Sequence, residues 1–104
     1  MGYSDFIKYR IKKTNEFDKW LKKLKDRQAF MAIAKRITRA INGNFGDSES
    51  VGGGISEMRI FVGKGYRVYY IIRGGEVILL LNGGHKGTQG KDITKAKALL
   101  SELE

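Results

Sequence analysis

The chain has no cysteine and a single histidine, His85. Without thiols there are no disulfides, no thiolate metal sites and no cysteine nucleophile, so packing alone must hold the fold. One histidine and scattered carboxylates do not make a four-ligand set, so metal binding is weakly supported, and a serine triad fails because no nucleophile elbow accompanies His85. No apolar run approaches the roughly 18–20 residues of a transmembrane helix. The N-terminus carries Ser4, Asp5 and Lys8 where a signal peptide has its apolar core, and Phe6 stands where a myristoylated Gly2 needs Ser or Thr. A cytoplasmic protein with no membrane partner is expected. Acidic residues are also scarce, 11 Asp and Glu against 20 Lys and Arg, for a net charge of +9. Such an excess draws in polyanions before any specific contact forms, and nucleic acid becomes the leading class of partner.

A length of 104 residues with 41% hydrophobic content suits one domain, residues 1–104, with one modest core. From Ile7 to Lys13 the residues alternate, Ile7, Tyr9 and Ile11 on one face and Lys8, Arg10 and Lys12 on the other, which predicts a half-buried strand with a basic outer face. Thr14 or Asn15 is placed to cap a following helix with a stripe of Phe17, Trp20, Leu21 and Leu24. Asp26 is placed to cap a second helix, with a stripe of Phe30, Ile33, Ala34, Ile37 and Ile41 that runs to Asn42-Gly43. Two consecutive helices make a hairpin, and its aromatic residues read as core. Asn42 to Gly54 reads as a glycine-rich surface loop. It is not a phosphate-binding Walker loop, because no Gly-Lys-Ser/Thr follows.

The stretch Ile55 to Arg73 reads as a hairpin with its charge on one face. Glu57, Arg59 and Phe61 alternate with Met58, Ile60 and Val62, and Gly63-Lys64-Gly65 is the expected connection. That turn sets Val62 opposite Tyr66, Arg59 opposite Tyr69 and Phe61 opposite Arg67. Gly74-Gly75 then starts a strand from Glu76 to Asn82, with Arg67 opposite Asn82. Arg59, Phe61, Arg67, Tyr69 and Asn82 are therefore expected on one surface, with His85 and Lys86 just past the strand end. Val77 to Leu81 is apolar on both faces, so the sheet needs a second cover. A polar turn, Asn82 to Gly90, leads to a last helix with a stripe of Ile93, Ala96, Leu99, Leu100 and Leu103; that helix or a partner supplies the cover.

Arg59, Arg67 and Lys86, with Lys64 near them, form a basic cluster suited to a phosphodiester and to the extra charge of its pentavalent transition state. His85, a residue type that titrates near neutrality, is the candidate proton carrier. Glu57 is either a base or the partner of Arg59 or a helix lysine.

Gly-Tyr-Arg-Val-Tyr-Tyr (65–70), Ser-Glu-Met-Arg-Ile (56–60) and Asn-Gly-Gly-His-Lys-Gly-Thr-Gln-Gly-Lys-Asp-Ile (82–93), in the order strand, helix, helix and three antiparallel strands, resemble the RelE/ParE toxin superfamily of bacterial toxin-antitoxin modules. Within it the chain is most similar to the HigB-like, phage Gp49-like addiction-module killer proteins. The resemblance implies an α+β, RelE-like fold of order β-α-α-β-β-β-α, a mixed, mainly antiparallel four-stranded sheet with a helix hairpin on one face. It implies a type II toxin, a ribosome-dependent and metal-independent mRNA endoribonuclease (mRNA interferase) that needs no cofactor. The cognate antitoxin is then a HigA-like helix-turn-helix protein, with an acidic segment expected over the sheet face and Arg67. Arg67, Arg59, Lys86 and His85 become the catalytic candidates, and Lys8, Arg10, Lys12, Lys64, Phe61, Tyr69 and Asn82 the RNA- or ribosome-binding candidates. RelE-type nucleases with a Tyr or His near the C-terminus differ from this chain, which has no Tyr after Tyr70 and no His after His85. ParE-type members inhibit DNA gyrase, so a gyrase inhibitor or a degenerate RNA-binding regulator stands as the alternative.

Overall fold

The computed structural model describes residues 8–103. Its elements run β1 (Arg10–Lys13), α1 (Asn15–Lys23), α2 (Arg27–Ile41), β2 (Ser48–Gly52), β3 (Ile55–Ile60), β4 (Tyr66–Arg73), β5 (Val77–His85) and α3 (Gln89–Leu103). Ile7, the expected start of the first strand, and Ser4, Asp5, Gly2 and Phe6 lie outside the described residues. The class is α+β, but the sheet has five strands in the order β1-β5-β4-β3-β2, with β1 parallel to β5 and the other pairs antiparallel. Among the described residues no helix is long and apolar enough to cross a membrane.

The additional strand, β2, comes from the segment read as a loop. Ser48-Glu49-Ser50-Val51 has no apolar alternation and so carries no strand signal. As an edge strand it needs only ladder bonds to β3, and a polar edge also discourages pairing with other chains. Gly53 and Gly54, with φ of 64° and 82°, form the turn between them.

Both helix caps form as the residue types suggest. The Thr14 hydroxyl accepts from the Phe17 N–H at 3.0 Å, and Asp26 Oδ1 accepts from the Ala29 N–H at 3.0 Å. The α1–α2 hairpin covers one sheet face, where Phe17, Ala29, Ile33 and Ala40 meet Met58, Val68, Tyr70, Ile78 and Leu80. Helix α3 covers part of the other face, with Ala96 against Ile55, Tyr69, Ile71, Leu79 and Leu81. The second cover thus comes from the chain itself. Three stripe residues depart from expectation: Phe30 is 42% exposed, Leu103 is 49% exposed, and Ala34 is exposed as well. On α2 the buried line runs through Ala29, Ile33 and Ala40, about one residue round the helix from the predicted one, which turns Phe30 outward.

Two registers also differ. Ile60, not Val62, stands opposite Tyr66, so Arg59 faces Arg67 and Glu57 faces Tyr69. The connection is a five-residue turn, with Gly63 and Gly65 at φ of 57° and 77°. A shift of two residues keeps every side chain on its expected face. Across the next turn Arg73 faces Val77, not Glu76, which reverses the faces assumed for the start of β5. A bulge at the Tyr69–Tyr70 step then adds one residue, so Asn82 faces Tyr69 and Gly84 faces Arg67. The strand itself continues through Gly83 and Gly84, residues first read as part of a turn.

Candidate functional site

The face of β3 and β4 that carries Glu57, Arg59, Arg67 and Tyr69 meets the N-terminal end of α3, and the two arginines have different surroundings. Arg59 is held by carboxylates of the β2 segment: its Nη2 lies 2.8 Å from Asp47 Oδ1 and its Nη1 2.8 Å from Glu49 Oε2. The Asp47 hydrogen bond is the main reason its pKa is raised. Arg36, from α2, braces the same segment by donating to the carbonyls of Phe45 at 2.9 Å, Asp47 at 3.2 Å and Arg59. Burial is the chief reason the Arg36 pKa is lowered.

Arg67 has one distant counter-ion. Its Nε is 3.7 Å from Glu57 Oε1, beyond hydrogen-bonding reach, and Nε and Nη1 have no hydrogen-bond partner among the described residues. Some 11% of the side chain reaches solvent. Glu57 itself is buried and is fixed by Gln89, whose Nε2 donates to its two oxygens at 3.0 and 3.1 Å. This answers the question of what Glu57 pairs with: a glutamine firmly and Arg67 loosely, not Arg59.

Tyr69 and Asn82 are not on an accessible surface. Both are buried beneath the start of α3, because the last helix supplies the cover that was left open in the sequence. Burial first, then the Glu57 and Asp92 carboxylates, pushes the Tyr69 phenol well above its ordinary pKa. Asn82 Nδ2 donates to the Asp92 carbonyl at 3.1 Å, and the Asp92 carboxylate accepts from the Thr88 hydroxyl. Gln89, Thr88 and Asp92 were missed in the sequence. Thr88 and Gln89 fall within the polar segment expected to be a turn and Asp92 just beyond it, in the first turn of α3, and Gln89 meets its partner 32 residues away in the chain, so no local pattern announces the contact.

Two adjacent glycines make this arrangement possible. A Cβ on Gly84 would lie 1.8 Å from Asp92 Oδ2, and one on Gly83 would lie 2.3 Å from the Trp20 ring. One glycine therefore admits α3 to the arginine face, and the other admits α1 to the opposite face.

His85 belongs to that opposite face. It pairs with Tyr66 across the ladder, while its predecessor Gly84 pairs with Arg67. The imidazole lines an open cleft of about 490 Å³ with Trp20, Lys23, Lys64 and Tyr66. Its Nδ1 accepts from the Gly87 N–H at 3.1 Å, which leaves Nε2 as the free nitrogen. There Tyr66 donates to Asp26 Oδ2 at 3.5 Å, and burial raises its pKa. The structure thus separates His85 from the arginine cluster in which the sequence grouped it. Lys86 is exposed beyond β5, its backbone N–H bonded to the Gly65 carbonyl at 2.8 Å. Phe61, 76% exposed, and Lys64 occupy the β3–β4 turn. Lys8, Arg10 and Lys12 are exposed along the β1 edge, with Arg10 in a loose pair with Glu76 at 3.5 Å. Among the described residues no three His, Cys, Asp or Glu side chains gather where they could hold a metal ion.

The model of the family described as Phage derived protein Gp49-like (DUF891) matches residues 11–101. A protein of Haemophilus influenzae (strain Rd), named only as uncharacterized, is 52% identical over 94 residues, which span 90% of this chain and 95% of that protein.

Proposed function

The chain belongs to the phage-derived Gp49-like family, which is related to the toxins of toxin-antitoxin modules, and from that premise we propose that it is a HigB-like toxin that cleaves messenger RNA on the ribosome. The observation that supports this reading is Arg67: a guanidinium carried on a central strand, 11% exposed, its Nε and Nη1 buried without a hydrogen-bond partner among the described residues and its one carboxylate too far for a hydrogen bond. A planar cation of this kind is suited to a phosphate oxygen, and holding it rigid means little reorganisation is needed as charge develops. Arg59 is a weaker candidate, since its two terminal nitrogens are engaged by Asp47 and Glu49.

In the proposed reaction the ribose 2′-oxygen attacks the adjacent phosphorus and gives up its proton. The bond to the 5′-oxygen breaks, and that oxygen takes up a proton, leaving a 2′,3′-cyclic phosphate and a 5′-hydroxyl. Arg67 stabilises the pentavalent phosphorus and Lys86 adds a mobile positive charge at the mouth of the site. The exposed cations of the β1 edge, Lys8, Arg10 and Lys12, hold ribosomal or messenger phosphates, with Phe61 and Lys64 at the β3–β4 turn. On this reading residues 1–104 act as one domain in the cytoplasm, and a HigA-like helix-turn-helix antitoxin neutralises it.

Cell-free translation of a defined message tests the proposal. Cuts mapped by primer extension, confined to translated messages and abolished by Arg67→Ala, are expected. Intact messages together with inhibited gyrase supercoiling would replace the nuclease with a gyrase inhibitor.

A further inference from the structure

Helix α2 is more apolar than its core contacts require. Its buried line uses Ala29, Ile33 and Ala40, yet Phe30 is 42% and Met31 63% exposed. These two side chains, with Ala34, line a groove of about 520 Å³ on the outer face of the helix hairpin. They also line a second depression, of about 230 Å³, where Leu21 and Leu24 of the α1 end and the α1–α2 turn complete the apolar wall. The shared residues make one continuous apolar track across the hairpin.

The rim of this track has a single sign. Lys35 and Arg39 border the first groove and Lys22 and Arg27 the second, and no carboxylate lines either. None of these four cations forms an ion pair among the described residues, although the chain pairs other surface charges readily. Apolar tracks on a soluble protein mark interaction sites, and an unpaired cationic rim selects an acidic occupant.

We infer that the outer face of the α1–α2 hairpin docks an amphipathic helix of a protein partner, one with an apolar stripe flanked by Asp and Glu. A helix laid in a groove presents side chains at i, i+3, i+4 and i+7, which matches a long track with charge on both sides. A second copy of this chain fits poorly, because its own four cations would face these four. RNA fits less well than protein: Phe30 is the one ring lining the track, and Met31, Ala34, Leu21 and Leu24 offer no further flat surface on which successive bases stack. The inference rests on the reading of the chain as a toxin with a neutralising partner, and it relocates that partner. Helix α3 already covers part of the sheet face expected to receive the antitoxin, whereas among the described residues nothing covers Phe30 and Met31 on the hairpin face.

The test co-expresses the chain with the product of the adjoining reading frame and measures the affinity of the purified complex by calorimetry. The double variant Phe30→Ser, Met31→Glu should weaken the complex by about 30-fold or more, as loss of a central anchor pair does. Arg27→Glu with Arg39→Glu should weaken it and flatten its salt dependence. All four positions are exposed, so circular dichroism should show native folds, and Arg67→Ala should bind like wild type. Wild-type affinity in both surface variants would overturn the docking face while leaving the toxin reading intact. Failure of the wild-type chain to form any complex while it still cuts RNA would overturn the partner but not the nuclease. Loss of ribosome affinity in the same variants, with the protein complex intact, would assign the track to nucleic acid and overturn the inference.

Discussion

Arg67 and His85 lie on neighbouring rungs of the β4–β5 ladder and leave opposite faces of the sheet. Gly84 faces the arginine, and His85 itself faces Tyr66. Strand alternation thus separates the strongest phosphate-binding candidate from the only imidazole in the chain.

Replacing His85 by Ala should therefore leave ribosome-dependent cleavage within about 3-fold of wild type, far short of the roughly 100-fold that a general acid or base contributes. Single-turnover cleavage of a defined message is the measurement. A loss on the order of 100-fold would mean that the RNA passes round the end of the sheet and uses both faces.

Arg67→Ala should lower cleavage by about 100-fold or more, the usual effect of removing a donor to developing charge. Glu57 keeps its Gln89 hydrogen bonds in that variant but loses its cation, so a stability loss of about 1–3 kcal/mol should accompany the change. Arg67→Lys separates the two effects: stability should recover, while activity stays low because an ammonium lacks the planar fork. Urea titration with parallel cleavage assays would show both.

Arg59 offers a test in the opposite direction. Asp47→Asn with Glu49→Gln would remove both of its carboxylates, and the freed guanidinium should tighten RNA binding and steepen its salt dependence, by about one counterion in the log–log slope. An unchanged slope would leave Arg59 as the residue that fastens β2 to β3.

The buried Tyr69 phenol links stability to alkaline pH. Its folded pKa lies above the unfolded value, so its contribution to stability is complete below about pH 10 and falls as pH rises beyond that, when the unfolded chain ionises first. Tyr69→Phe should flatten the stability profile above about pH 10. At neutral pH it should cost little, because the hydroxyl has no hydrogen-bond partner to lose among the described residues. Denaturant titrations of both proteins at neutral and alkaline pH would measure the difference.

Gly84→Ala should destabilise the fold by about 1–3 kcal/mol through overpacking, since the new methyl would meet Asp92 at 1.8 Å. Combining it with Asp92→Ala should recover part of that loss, and additive costs in a double-mutant cycle would show that α3 moves as a unit instead.

The sequence by itself determined the periodic elements: the basic-faced first strand, the capped helix pair, the β3–β4 hairpin and the apolar last helix. Each rests on spacing or cap chemistry within a few residues, so the signal is local. Arg59 and Arg67 were placed on the correct face despite a two-residue error in register, because alternation has a period of two. Tertiary structure alone decided the rest. The strand Ser48–Gly52 exists because β3 offers it an edge, not because its residues favour extension. The bulge at Tyr69–Tyr70 fixed which β5 residues face Arg67, a one-residue matter that turn glycines cannot report. Burial of Tyr69 and Asn82, and the Gln89–Glu57 contact that sets the company of Arg67, depend on how α3 folds back over the sheet. Those contacts join residues distant in the chain, and their energy depends on packing geometry that no local pattern of residue types contains.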